Sequence, residues 1–553
     1  MLAQPMQRRF GWGAFSELPF LTLSRVLPAS LWEEASRISA GRRVFKLRFR
    51  PGKVRGQSLG VTAVHKESPP LSSALNRWKL LPRERRNKPQ TGIVVEVESG
   101  YGLYDTFVGR VQHGTQFKGA HYSMQGHWEK TEGEGANQEE ENIAASARVD
   151  WDISKTTILA LHSSYFQSQI DLPQFVEDSS HHQKSAIEII ADLRVNFDPE
   201  TDTNFLVSGE QAIFDAGTPG TFEMNRYRSQ VVLNQLWSRK NTLRLDVTGA
   251  WDELWREGER LDTRYYGTAS LINSFAMRDN FAVETGVVFE YYHAEDLPYT
   301  GNIIAPIFTT RFRLLPDTTL YTTYHPRLQF PDFVELYIRK IYTTVNPDLH
   351  AETVRHYLES GLTQRLGDAV SLNLGLFYQE REDLILQIDD NTDNLLEYIQ
   401  AGSSRFMGVK TNLQMNFAEQ FVQTISYTYT DYDLLSWESE MGVAEAGQRD
   451  VLPYFPHHQV QASLYWLTPL GLAIDCSGTY VSEQFRNRRS EHQRIGKRFF
   501  VHVTLTQKLT DTVQIFFLGR NLTGTDTYDI IPLLDSEEIT SSRLFIAGLR
   551  LRL

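Results

Sequence analysis

The sequence predicts an all-β fold: one closed antiparallel transmembrane β-barrel of about 22 strands, preceded by an irregular N-terminal segment. Three observations carry this. Period-2 alternation runs almost continuously from Thr91. Short polar turns alternate with longer, more variable connections, which gives the molecule two unlike ends. The chain also ends inside a strand, which makes sense if that strand pairs with the first.

The alternation is clearest in "VSLNLGLFY", where Val370, Leu372, Leu374, Leu376 and Tyr378 share one face and Ser371, Asn373, Gly375 and Phe377 the other. In "NTLRLDVTGAW", Leu243, Leu245, Val247 and Trp251 oppose Arg244, Asp246 and Thr248. A soluble sandwich would alternate too, so the turns decide. About ten are short: Thr115–His121, Trp151–Thr157, Asn196–Thr203, Trp237–Thr242, Ala276–Phe281, Leu314–Thr319, Arg365–Val370, Phe417–Phe421, Leu467–Gly471 and Lys508–Thr512. Long connections such as Glu132–Glu141, Asp171–Lys184, His325–Glu352, Leu435–Pro456 and Leu522–Ser541 lie between them. In "RLFIAGLRLRL" the apolar face is Phe545, Ala547, Leu549, Leu551 and Leu553. Arg550 and Arg552 turn to a polar interior, and the expected partner strand lies near Gly92–Gly100. Leu243, Leu245, Leu372, Leu374, Leu376, Leu549 and Leu551 are expected to face lipid.

Composition agrees once its averaging is recognised. A mean hydropathy of −0.37 would suit a soluble protein, but a barrel hides its lipid face in every second residue. No run of about 18 apolar residues exists to make a membrane-crossing helix. The single cysteine, Cys476, excludes a disulfide framework and a multi-cysteine metal site. The formal charge of −12 is split: residues 1–90 carry 18 Lys+Arg against 5 Asp+Glu, whereas the rest is acidic. A basic head can mean nucleic acid, but this one has neither interleaved aromatics nor a binding motif, so no nucleic-acid partner is expected.

Two segments, "YHPRLQFPDFVELY" (Tyr324–Tyr337) and "NPDLHAET" (Asn346–Thr353), resemble a loop region of TonB-dependent outer-membrane receptors. "DVLPYFPHHQVQASLYW" (Asp450–Trp466) resembles the re-entry into a late strand of those barrels, and "FLGRNLTGTDTYD" (Phe517–Asp529) the approach to their terminal strand. The resemblance spans about Thr91 to Leu553 and implies a monomeric receptor-transporter in the bacterial outer membrane. It would take up a large scarce solute, a ferric siderophore or cobalamin, with energy from a TonB-type partner. A plugless passive channel, or a nonfunctional receptor fragment, is the alternative. The Asn346–Thr353 segment would be an extracellular return, with Pro347 blocking regular pairing and Asp348 and Glu352 bonding backbone groups. Beyond it, Val354, His356, Leu358, Ser360 and Leu362 would share one face, and Thr353, Arg355, Tyr357, Glu359 and Gly361 the other.

The resemblance also implies a signal peptide, a TonB-contact segment and a plug domain. "MLAQPMQRRFGWGAFSELPF" reads as neither of the first two. Gly56–Pro70 faintly resembles the end of a plug, and residues 1–90 are expected to form at most a remnant of one, with the barrel occupying 91–553.

Candidate sites are few. Arg486, Arg488, Arg489 and Arg494 on a long loop could hold lipopolysaccharide phosphates or an anionic iron chelate. His181-His182 and His457-His458 would splay to opposite faces of a strand, so neither pair chelates one ion by itself. The acidic run Glu132–Asn142 lacks the spacing of a calcium loop. With no Gly-x-Ser-x-Gly, HExxH or phosphate loop present, no enzymatic activity and no cofactor are expected.

Overall fold

The computed structural model describes residues 94–552, apart from 118, 133–138, 172–180, 199, 216–219, 239, 279, 296–299, 332, 338–342, 368, 390–395, 418–419, 437–451, 486–493 and 526–542. The readings for residues 1–90, including Gly56–Pro70, therefore lie outside the described residues.

One sheet holds 23 segments. Two of them, Thr318–Tyr324 and Arg327–Gln329, are successive pieces of a single stave along Glu352–Leu366, so the barrel has 22 staves. Pro326 explains the break, because it brings no N–H to the ladder. Each stave pairs antiparallel with its neighbours, and Val94–Gly102 pairs with Leu544–Arg552 to close the ring. Closure leaves the wall without an edge, the condition for crossing hydrocarbon with strands.

All ten short turns fall at one end; strand ends such as Ser238 and Asn241, or Leu467 and Leu472, stand only a few residues apart. The opposite end is less uniform than the sequence reading has it. Two of its connections are tight: Leu103–Thr106, where Tyr104 and Asp105 have positive φ, and the Glu257-Gly258 hairpin, with φ of 52° and 88° at the two residues.

Leu245, Val247 and Trp251 point outward, while Arg244 and Asp246 form an inward ion pair at 2.8 Å. Leu376, Leu549 and Leu551 are likewise exposed on the outer surface. Two outward aromatic rows bracket this apolar band. Trp151, Phe197, Trp237, Phe417 and Trp466 lie toward the turn end, and Trp128, Tyr165, Tyr227, Trp251, Tyr265 and Tyr291 toward the loop end.

One strand departs from simple alternation. A bulge between Val354 and His356 leaves Arg355 as an extra residue. Val354 is consequently buried on the inner wall with Tyr357, while Leu358 is exposed outside. Val354 thus does not share a face with Leu358, nor Thr353 with Tyr357. The turn before it also differs from expectation. Asn346 accepts from the Asp348 N–H and donates to the Tyr398 carbonyl, whereas Glu352 pairs with Arg381 at 2.8 Å.

At the seam, Phe516 lies flat across glycines of both closing strands. A Cβ at Gly548 would collide with the Ser99 carbonyl oxygen and with the Phe516 ring. Gly548→Ala is therefore expected to cost about 1–3 kcal/mol through overpacking, read as a lower urea midpoint of the refolded barrel.

Candidate solute-binding vestibule

The long connections at the loop end fold inward and pack across the barrel mouth. The first runs from Gln329 to Glu352. Its single turn of helix, Phe333–Leu336, buries Phe333 completely against the inner wall among Ala186, Ala212, Phe222, Met224 and Leu254. Those wall positions are small or apolar on the inward parity of four neighbouring staves, so the wall is shaped to receive the ring.

The second connection is the hairpin Leu384–Asp389 with Leu396–Ala401, which Thr343–Thr344 joins as a third, parallel strand. Both faces of this small sheet are apolar, as a sheet covered on both sides requires. Leu384, Leu386, Ile399 and Ala401 pack on Phe377, Phe406 and Tyr432 of the wall and on Leu452 and Phe455 of the next loop. Ile385 and Tyr398 meet Leu336 and Leu349 from the helical connection. Tyr454 then packs on Ile495, and Gln484 donates to the Tyr454 carbonyl at 2.5 Å. Four connections so form one apolar seam across the mouth.

Beneath the helix the wall carries three arginines, three carboxylates and aromatic rings. Arg226 bridges Asp252 at 3.1 Å and Glu210 at 3.4 Å. Arg264 stands opposite Asp252 on the next stave; its guanidinium lies 3.3 Å from the centroid of the Phe333 ring and donates to the Pro331 carbonyl at 2.6 Å. Phe330 stacks on Tyr292 at 4.4 Å. Tyr337 donates to Asp262 at 3.3 Å, and burial beside that carboxylate pushes its phenol pKa up, so it remains a donor across the ordinary pH range. One inward row deeper, Arg228 is 8% exposed and leans over the Tyr266 ring at 5.8 Å. Its Nε finds no hydrogen-bond partner among the described residues. Tyr227 and Tyr265, the outward neighbours of Arg228 and Tyr266, belong to the loop-end aromatic row, which sets this cluster at the outer interface.

The residues singled out by sequence sit elsewhere. Arg494 lies at the mouth in a two-residue ladder with Gln484–Phe485; it is exposed and pairs with Glu483 at 2.8 Å. Arg486, Arg488 and Arg489 lie outside the described residues. His457 stacks on Tyr432, while His458 turns the other way to Tyr427. The side chains of His181 and His182, and most of the Glu132–Asn142 run, are outside the described residues. Sequence reasoning missed Arg226, Arg228 and Arg264. The available signal was "RYR", two arginines on one parity with Tyr227 on the other, which in a barrel wall means a basic inner face.

A family model matches the sequence, and solved structures match the architecture. The family model described as TonB dependent receptor-like, beta-barrel, matches residues 92–522. Among solved structures, the ferric-catecholate import receptor Fiu from K12 E. coli aligns with a TM-score of 0.65 at 12% identity, covering 84% of this chain and 82% of that one. The siderophore receptor PirA from Pseudomonas aeruginosa aligns at 0.60 and 11%, covering 84% and 81%. The FrpB iron transporter from Neisseria meningitidis aligns at 0.64 and 11%, covering 84% and 82%. No curated protein sequence matches the chain. At such identities the structural likeness speaks for the fold; the family model, which spans most of the chain, speaks for descent. The chain belongs to the TonB-dependent receptor β-barrel family, a family of bacterial outer-membrane transport receptors.

Proposed function

We propose that this protein is an outer-membrane receptor for an anionic metal chelate of the ferric siderophore class, recognised in the vestibule lined by Arg226, Arg228, Arg264, Tyr266 and Tyr292. The observation that carries the reading is Arg228: a buried guanidinium held against an aromatic ring at the outer interface, with an Nε donor unmatched among the described residues. Burying such a charge without a partner is costly, so the site favours an anion that supplies the missing acceptor. Flat aromatic neighbours suit a ligand with planar donor groups. The structural neighbours include siderophore receptors and an iron transporter, which supports the same class. In this reading residues 91–553 form the monomeric barrel unit, a TonB-type protein supplies energy, and Arg486, Arg488, Arg489 and Arg494 meet lipopolysaccharide or an arriving chelate at the rim.

The test is titration of the purified protein with ferric tris(2,3-dihydroxybenzoate), a ferric hydroxamate and cyanocobalamin, followed by tryptophan fluorescence. Saturable binding of a ferric chelate is expected, weakened about tenfold or more by Arg228→Ala through the loss of a charge-assisted hydrogen bond. Binding of cyanocobalamin alone, or chelate binding indifferent to Arg228→Ala, would sink the assignment.

A further inference from the structure

We infer that the segment Phe330–Tyr337 is an internal competitor of the solute, docked on the recognition wall at rest and displaced when the vestibule opens; the solute's part in this rests on the reading above. The segment does to the wall what an aromatic anion would do. Phe333 lies on the Arg264 guanidinium, the Pro331 carbonyl accepts from the same group, and Phe330 covers Tyr292. Every one of these contacts uses a surface that a planar, electron-rich ligand would need. Arg228 and Tyr266 lie one row deeper, and Arg228 is buried while the segment is docked. Two features make the segment suited to leave. It is anchored by two fully buried side chains, Phe333 and Leu336, and a few polar bonds rather than by a ladder, since its helix is a single turn. Its Leu336 is shared with the hairpin cap through Ile385, Tyr398 and Leu349, so release would loosen the whole seam. A solute with equal affinity for the docked and released states would shift nothing; displacement follows because docked segment and bound solute exclude one another.

The test needs no solute. With Cys476→Ser as background, Arg228→Cys is labelled on intact cells by a membrane-impermeant maleimide. Labelling is expected to be slow, and about tenfold or more faster when Phe333→Ala is added, because removing the buried anchor shifts the opening equilibrium. Heat-modifiable migration reports whether each variant has folded; should Phe333→Ala fail to fold, Leu254→Ala removes the wall side of the same contact. Equal labelling with and without the anchor overturns the inference. A parallel titration with ferric tris(2,3-dihydroxybenzoate) is expected to tighten in Phe333→Ala with Arg228 left intact. Anchor-dependent labelling without chelate binding would uphold the gate and sink the chelate reading alone.

Discussion

Replacing Arg550 with Met is expected to destabilise the barrel by about 3–5 kcal/mol. Arg550 lies on the closing strand directly opposite Glu98, and both side chains are almost fully buried on the inner wall. Nε and Nη2 meet one carboxylate oxygen at 2.8 and 2.7 Å, and Nη1 reaches Gln514 on the next stave. Removing the guanidinium takes both of these hydrogen bonds from a buried carboxylate and leaves Arg110, directly opposite on the other neighbouring strand, to offset its charge. The double variant Glu98→Gln with Arg550→Met should recover much of the loss, because the buried carboxylate goes with its partner and the charge that remains, Arg110, is only partly buried. Urea unfolding in lipid vesicles reads both. A cost below about 1 kcal/mol for the single change would mean that water reaches the pair and that the seam is held by its ladder alone.

Leu374→Arg is expected to cost about 2–4 kcal/mol, as a charge near the bilayer midplane must be dragged to an interface. Leu374 sits midway along Val370–Glu382, on the parity of the exposed Leu376. Its neighbour Asn373 faces inward and accepts from Thr363 at 2.8 Å. Asn373→Ser should therefore cost about 1 kcal/mol or less, the price of one hydrogen bond in a polar lumen. Equal costs at the two positions would contradict the register.

Strand identity, the ten short turns and the closing pair were legible because the lipid face, the lumen face and the turns each demand different residue chemistry at a fixed period of two. The bulge at Arg355 was not. Val354 is apolar, so it satisfies the outer face on paper as well as the inner wall in fact, and alternation cannot reveal a slip that both faces tolerate. The inward cap left a trace: "LIL" and "YI" put apolar residues on both parities in succession, as a sheet covered on both faces requires. The vestibule was harder still. Arg226 and Arg244 look alike in sequence, one bridging two carboxylates beside the recognition wall and the other paired within its own strand. Only the fold distinguishes a guanidinium that completes the wall from one, like Arg228, that keeps a donor open.

A ring of 22 staves resists pulling along its ladders far better than it resists being squashed into an ellipse. The apolar seam runs between staves about a third of the circumference apart. It therefore acts as a strut. While Phe333 is docked, the rim is stiffened against lateral pressure from the surrounding lipid; once it releases, the same rim becomes compliant. Bilayer thickness and lateral tension would then bias how often the mouth is open, and the membrane itself would become one of the inputs to which this receptor responds.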